Sequence, residues 1–168
     1  ELNDEEKGAK KVNEYITHYF GHGFLTLEAH KDPENDKAIK FEILRNGKKA
    51  YHLSEGECSL VAFCYFMAKL EDTTTNGSKP IIWIDDPISS LDNNHIFFVY
   101  SIIKSRIFDC GNFEQLFIST HNLDFLKYLK RLDPKEHSKD VSYFLIERNN
   151  DSSHIKAMPN YLSKYVTE

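Results

Sequence analysis

The sequence predicts an α/β fold: a parallel sheet core with helices, preceded by an N-terminal antiparallel meander. Three observations carry this. Four apolar residues, Ile81-Ile82-Trp83-Ile84, run straight into Asp85 and Asp86; a short continuous apolar run of this kind reads as a strand buried on both faces of a parallel sheet. From there on, strand-like and helix-like segments alternate, which implies parallel pairing with right-handed crossovers. Ahead of it, stretches of alternating polarity flank Asn46-Gly47, a strong two-residue hairpin signal.

Taken in order, residues 1–20 are mostly polar, with Val12, Tyr15, Ile16, Tyr19 and Phe20 at helical spacing. They predict a helix with one apolar stripe, broken by Gly21-His22-Gly23. Phe24 to Ala29 alternates as a half-buried strand does. Lys31 to Lys37 reads as a loop, Ala38 to Leu44 as a second strand, and Ala50 to Leu53 as the strand pairing back after the Asn-Gly turn. At Ser54 the period changes. Leu60, Val61, Phe63, Cys64, Phe66, Met67 and Leu70 fill a helix that is apolar on most sides and therefore buried. Ser54 and Glu57, three apart, form a capping box at its start. Asp72 to Lys79 reads as a loop. The acidic strand spans 81–85, and a helix follows over about 94–107. Gln115 to Ser119 is a second buried strand, Asn122 to Leu132 a helix, and Val141 to Glu147 a third strand. Ile155 to Met158 and Asn160 to Val166 read as a short strand and a closing helix.

The 168 residues suit one domain with a real core. No apolar run approaches the ~18 residues of a membrane span, so no membrane partner is expected. The charged start, Glu1 to Lys7, does not have the form of a signal peptide. Without an initiator Met, it reads as part of a longer chain. Cys58, Cys64 and Cys110 make no CxxC pair and read as reduced thiols of a cytoplasmic protein. A net charge of −5 argues against nucleic acid binding over the whole surface. The eight histidines show no zinc-site spacing.

Chemistry concentrates in three places. Asp85, at the carboxyl end of a strand, stands where α/β sheets bind ligands. It is costly to desolvate without a metal or a partner, and it suits Mg²⁺, which takes hard oxygen ligands and keeps several waters. Asp86, where the chain turns, can reach the same pocket and position or deprotonate a water. His121, in Ser119-Thr120-His121-Asn122, ends the neighbouring strand and could meet a phosphate oxygen or that water. Leu53-Ser54-Glu55-Gly56-Glu57 opens a helix, and a small hydroxyl, a Gly and free backbone N–H groups there favour an anion. Each motif also has a plainer explanation: a turn, a helix cap, or a capping box.

The order LSEGE, IIWIDDP, SSLD, STH resembles the C-terminal lobe of an ABC-type ATPase, itself part of a P-loop NTPase fold. Within that class it is similar to the branch of chromosome-maintenance and DNA-break-repair ATPases, whose nucleotide domain is split by a coiled coil. Ile84-Asp85-Asp86-Pro87-Ile88-Ser89-Ser90-Leu91-Asp92, and Glu55-Gly56-Glu57 with Tyr65-Phe66, look most like the bacterial anticodon-nuclease and phage-defence ATPases. The resemblance covers roughly residues 12–150. It implies ATP and Mg²⁺ as cofactors. Asp85 would be the Walker B metal ligand, Asp86 would hold the catalytic carboxylate position, and His121 would be the switch histidine. Ser54, Glu55, Gly56 and Glu57 would form the signature motif that contacts nucleotide held by a second copy. Ser89 to Asp92, with Ser90 and Asp92, would be the D-loop at the dimer interface. Residues 1–20 would be the returning end of the coiled coil, and 21–168 the lobe proper.

Two departures stand out. Asp86 is one methylene shorter than the usual Glu. No G-x-x-x-x-G-K-[ST] phosphate cradle occurs; Gly47-Lys48 is preceded five residues back by Glu42, and the Asn-Gly turn accounts for it. No Q-loop is recognisable either. The implied partners are thus an N-terminal Walker A lobe of the same protein, a nucleotide-dependent homodimer, and tRNA or DNA bound through regions outside this chain. Alone, the chain is expected to be inactive. Two other functions fit parts of the pattern: a metal-dependent phosphoesterase using Asp85, Asp86, Asp92 and His121, and a non-catalytic dimerisation module.

Overall fold

Apolar residues at helical spacing open the chain, and they form helix α1 (Leu2–Phe20). Val12 and Ile16, one turn apart, are fully buried, with Tyr15 and Phe20 beside them. Gly21, at φ +66°, closes the helix and donates its N–H to the Thr17 carbonyl. The structure, a computed structural model, describes residues 2–21, 23–32, 35–75, 77–132, 140–160 and 162.

Strands β1 (Leu25–Asp32) and β2 (Asn35–Arg45) pair antiparallel, Leu25 opposite Arg45. The loop expected over 31–37 is therefore mostly strand. Asn13 of α1 acts as a surrogate strand residue against β1: its amide donates to the Leu27 carbonyl at 2.9 Å and accepts from the Leu27 N–H at 2.7 Å. Asn46 and Gly47 both take positive φ, 51° and 74°, which a two-residue turn of this hand requires. That turn fixes the register, so β3 is Lys48–Lys49 and not 50–53 as expected. Only the Ala50 N–H still reaches back, to the Ile43 carbonyl.

Helix α2 (Glu55–Thr75) starts on the expected capping box and runs four residues, 72–75, into the segment read as loop. Leu60, Val61, Phe63, Cys64 and Met67 are buried. Burial pushes the Cys64 thiol up to about 12, so it stays protonated and behaves as a small apolar side chain.

Strands β4 (Ile81–Asp85) and β5 (Gln115–Ser119) pair parallel and in register. Here one expectation fails. Ile82 and Ile84 are buried, but Ile81 and Trp83 are 62% and 68% exposed. Among the described residues the sheet is covered on one face only. On the open face Trp83 stacks on Phe117, ring centres 5.5 Å apart. The apolar run reflects two apolar faces, and the described residues bury just one.

Helix α3 (Asn93–Ile102) continues as a π-helical segment, Ile103–Phe108, with Ile102, Ile103, Ile107 and Phe108 all buried. Arg106 ties this segment to α1, donating from Nε to the Tyr19 hydroxyl at 2.9 Å. Helix α4 (Leu123–Leu129) is capped by Asn122, whose side chain accepts from the N–H groups of Asp124 and Phe125. The expected third parallel strand is corrected: β6 (Phe144–Asn149) turns at Asn150, φ 47°, and pairs antiparallel with β7 (Ser152–Ala157) in a separate two-stranded sheet. The closing helix expected over 160–166 lies mostly outside the described residues, as do His22 and His137. No helix among the described residues is long and apolar enough to cross a membrane.

One buried cluster joins α1, β1, α2, β4, α3, its π-helical segment and α4. Phe125, with no exposed surface, plugs its α4 end. Phe125→Ala is expected to cost about 3–5 kcal/mol in urea denaturation; a cost below ~1 kcal/mol would place Phe125 outside the cooperative core.

Candidate functional site

The parallel register sets Asp85 opposite Ser119, and the two chains leave their strands side by side. The Ser119 hydroxyl donates to Asp85 Oδ1. One residue on, the Asp86 N–H donates to the Ser119 carbonyl at 2.9 Å, extending the ladder past the strand end. Pro87 disfavours a right-handed helical conformation at Asp86. Asp86 takes φ +42°, in the left-handed region that Asp tolerates better than most side chains. Holding it there costs of order 1–3 kcal/mol, offset by bonds on both sides of the carboxylate. Thr120 donates to Oδ1 at 3.2 Å, and Thr120 is oriented in turn by the Asn122 N–H. His121 Nδ1 lies 2.6 Å from Oδ2. A carboxylate only accepts, so Nδ1 carries the proton and Nε2 is left for a further group. The His121 side chain is 73% exposed, open to whatever approaches the strand ends. The Asp86 carboxylate thus reaches the histidine directly.

A cleft of about 280 Å³ opens beside these groups, between α2 and the end of β4, lined by Ser59, Phe66, Trp83, Asp85, Asp86 and Ser89 among others. Asp85 alternates with Ile81 and Trp83, so it stands on the open face of the sheet.

The Ser54 loop is built by mutual bonds. The Ser54 N–H donates to Glu57 Oε2 at 2.8 Å, and the Glu57 N–H to Ser54 Oγ at 3.2 Å. Arg45 Nη2 donates to both Glu57 oxygens, at 2.7 and 2.8 Å. The bond from the Ser54 backbone, then the Arg45 guanidinium, hold the Glu57 carboxyl below the usual range. Gly56 is required by a close approach: a Cβ there would sit 2.8 Å from the carbonyl oxygen of Ser90. The Ser54 loop and the 89–92 turn are therefore packed backbone to backbone.

The structure brings Asp86 against His121, holds Asp85 on Ser119 at the same strand ends, and sets Gly56 against Ser90. Asp92 is drawn elsewhere: Oδ1 accepts from the His95 N–H and lies 2.7 Å from His95 Nδ1, at the start of α3. Among the described residues no three His, Cys, Asp or Glu side chains converge to hold a metal ion. The donor chemistry does fit Mg²⁺ of the other kind, held by one carboxylate with waters and phosphate oxygens; Asp85 and the Ser119 hydroxyl are hard oxygen donors. Sequence reasoning missed Arg45, Ser119 and Thr120 as site residues. The hydroxyls flank His121 and were legible as polar neighbours; Arg45 bears no local signal, since its partner is twelve residues away.

The ends of two parallel strands thus carry Asp-Asp and His, with a capped glycine loop packed on the following turn. A family profile described as AAA domain matches residues 1–168, and the chain belongs to that family. An uncharacterized chromosomal cassette SCCmec type IVc protein, CR006, of Staphylococcus aureus (strain MRSA252) is 37% identical over 92 residues, 51% of this chain and 13% of that protein. The match thus spans a small part of that relative's length. Among solved structures, an Smc head domain with a coiled coil and joint from Pyrococcus yayanosii superposes with TM-score 0.64 at 16% identity, covering 98% of this chain and 29% of that one. An Smc head from Pyrococcus furiosus bound to the C-terminal domain of ScpA gives 0.60 at 14%, covering 98% and 38%. A structure from work on ATP-driven dimerization and DNA stimulated activation of SMC ATPases gives 0.58 at 12%, covering 99% and 94%. The fold is that of SMC ATPase heads, of the P-loop NTPase type.

Gly56→Ala forces the added methyl onto the Ser90 backbone, which cannot swing aside as a side chain would. The expected cost is about 1–3 kcal/mol in urea denaturation; an unchanged midpoint would show that the contact is loose.

Proposed function

We propose that the chain is the C-terminal lobe of an ABC-type ATPase head. It supplies the metal-side carboxylate, the water-positioning carboxylate and the switch histidine, and lends its Ser54 loop to nucleotide held by a second copy. The observation that carries this is the Asp86–His121 pair, 2.6 Å apart, beside Asp85 at the ends of two parallel strands. Bound Mg²⁺-ATP would supply the phosphoryl group and neutralise charge on it; what this chain adds is positioning and electrostatics, the main sources of catalysis in such transfers.

Asp85 would hold the metal, fixed by the Ser119 hydroxyl. Asp86 would orient a water and take its proton, its carboxylate aimed by Thr120 and His121. His121 would donate from Nε2 to the terminal phosphate when both ring nitrogens carry a proton. Ser54 Oγ and the N–H groups of Glu55 and Gly56, at the start of α2, would face the phosphate of the other copy. The open face of β4 and β5, with Trp83, Phe117 and Asp85, would be covered by an N-terminal Walker A lobe of the same protein. That lobe would bring the phosphate cradle that these 168 residues lack. Helix α1 would continue into a coiled coil, as the Smc head structures with coiled coils suggest. The motif details favour a nucleic-acid-directed system of the anticodon-nuclease or phage-defence kind, with any tRNA or DNA contact outside this chain.

Asp86→Asn in the full-length protein is expected to lower ATP hydrolysis by about a hundredfold or more while leaving nucleotide-dependent dimerisation, read by light scattering. Wild-type turnover in that variant would show that another group positions the water and would remove Asp86 from the mechanism.

A further inference from the structure

We infer that Arg45 is a positioning residue for the Ser54 loop, neutralising Glu57 so that the loop can accept a phosphate from a second copy; this rests on the reading of that loop as the one lent across a dimer. The problem is electrostatic. Glu55 and Glu57 place two carboxylates in the first turn of α2. The positive end of the helix dipole stabilises them there, but the same end would have to receive a polyanion. A carboxylate on that turn opposes it, and little water remains between two closed copies to screen the repulsion.

The structure answers this at Glu57. Arg45 bonds both carboxylate oxygens, and one of those oxygens also accepts from the Ser54 N–H. Glu57 is turned inward onto Arg45 and its own cap, 22% exposed. Ser54 Oγ accepts from the Glu57 N–H and keeps its own hydrogen to donate. Arg45 is well placed to be rigid. It is the last residue of β2, directly before the Asn46-Gly47 turn, and pairs with Leu25 on one side and Lys48 on the other. One guanidinium nitrogen, Nη2, reaches both oxygens, and the rigid planar group holds that position more firmly than a lysine ammonium on a flexible stem.

The test uses the full-length protein with Mg-ATP under non-hydrolysing conditions, reading dimerisation by sedimentation velocity and nucleotide binding by a fluorescent ATP analogue. Arg45→Met is expected to weaken dimerisation about tenfold, since an exposed-pair effect counts twice in a symmetric dimer, with nucleotide affinity of the monomer kept. Arg45→Lys recovers part of the loss. Glu57→Gln keeps an acceptor for the Ser54 N–H but removes the charge, so it tightens dimerisation, and in the Arg45→Met background it restores it. Should Arg45→Met fold poorly, Glu57→Gln alone decides, and weaker dimerisation in that variant overturns the inference. So does wild-type dimerisation in a folded Arg45→Met, or failure of the double variant to recover. Ser54→Arg separates the two levels. If it too dimerises as wild type, the loop is not the trans contact and the broader reading falls; if it abolishes dimerisation while Arg45→Met does not, only the role of Arg45 is lost.

Discussion

The site depends on one constraint, the in-register parallel pairing of β4 with β5. Asp85 lies opposite Ser119, and the next hydrogen bond, from the Asp86 N–H to the Ser119 carbonyl, carries the alignment past the strand ends. Slipping the register by one residue would turn Asp85 to the buried face, and His121 would no longer lie beside Asp86. The register is held by what is buried: Ile82 and Ile84 point into the core shared with α2, α3 and α4. Packing far from the chemistry thus sets the distances within it.

Polar bonding does the local work. Three acidic groups of the site are matched by donors: Asp85 by Ser119, Asp86 by Thr120 and His121, Glu57 by Ser54 and Arg45. Such pairs are partly exposed and individually contribute little to stability. Their effect is to fix orientation, so that oxygens and ring nitrogens are already placed when a ligand arrives. The left-handed backbone at Asp86 belongs to the same logic, strain held by surrounding bonds at the point where the chain must turn two consecutive carboxylates toward one region.

Much of this was legible in the sequence because local chemistry leaves local signals. Asn46-Gly47, the Ser54–Glu57 capping box and the acidic strand end all appear where their residue types require them. Non-local features were less legible. An apolar run reads the same whether its second face is covered by this chain or by another piece of protein, so the exposure of Ile81 and Trp83 was not foreseen. Val141 to Glu147 looks like any short strand; only the tight turn at Asn150 shows that its partner is β7 and not the parallel sheet. Arg45 carried no signal because an arginine beside a turn is ordinary until Glu57 folds against it.

The most direct measurement is anomalous diffraction from crystals of the full-length protein with Mn²⁺ and a non-hydrolysable ATP analogue. If the ends of β4 and β5 form a metal–nucleotide site, the manganese peak falls at Asp85, directly or through one water, with the terminal phosphate beside His121 and the Ser54 loop of a second copy closing over it. A nucleotide bound elsewhere, with Asp85 and His121 facing only solvent, contradicts it.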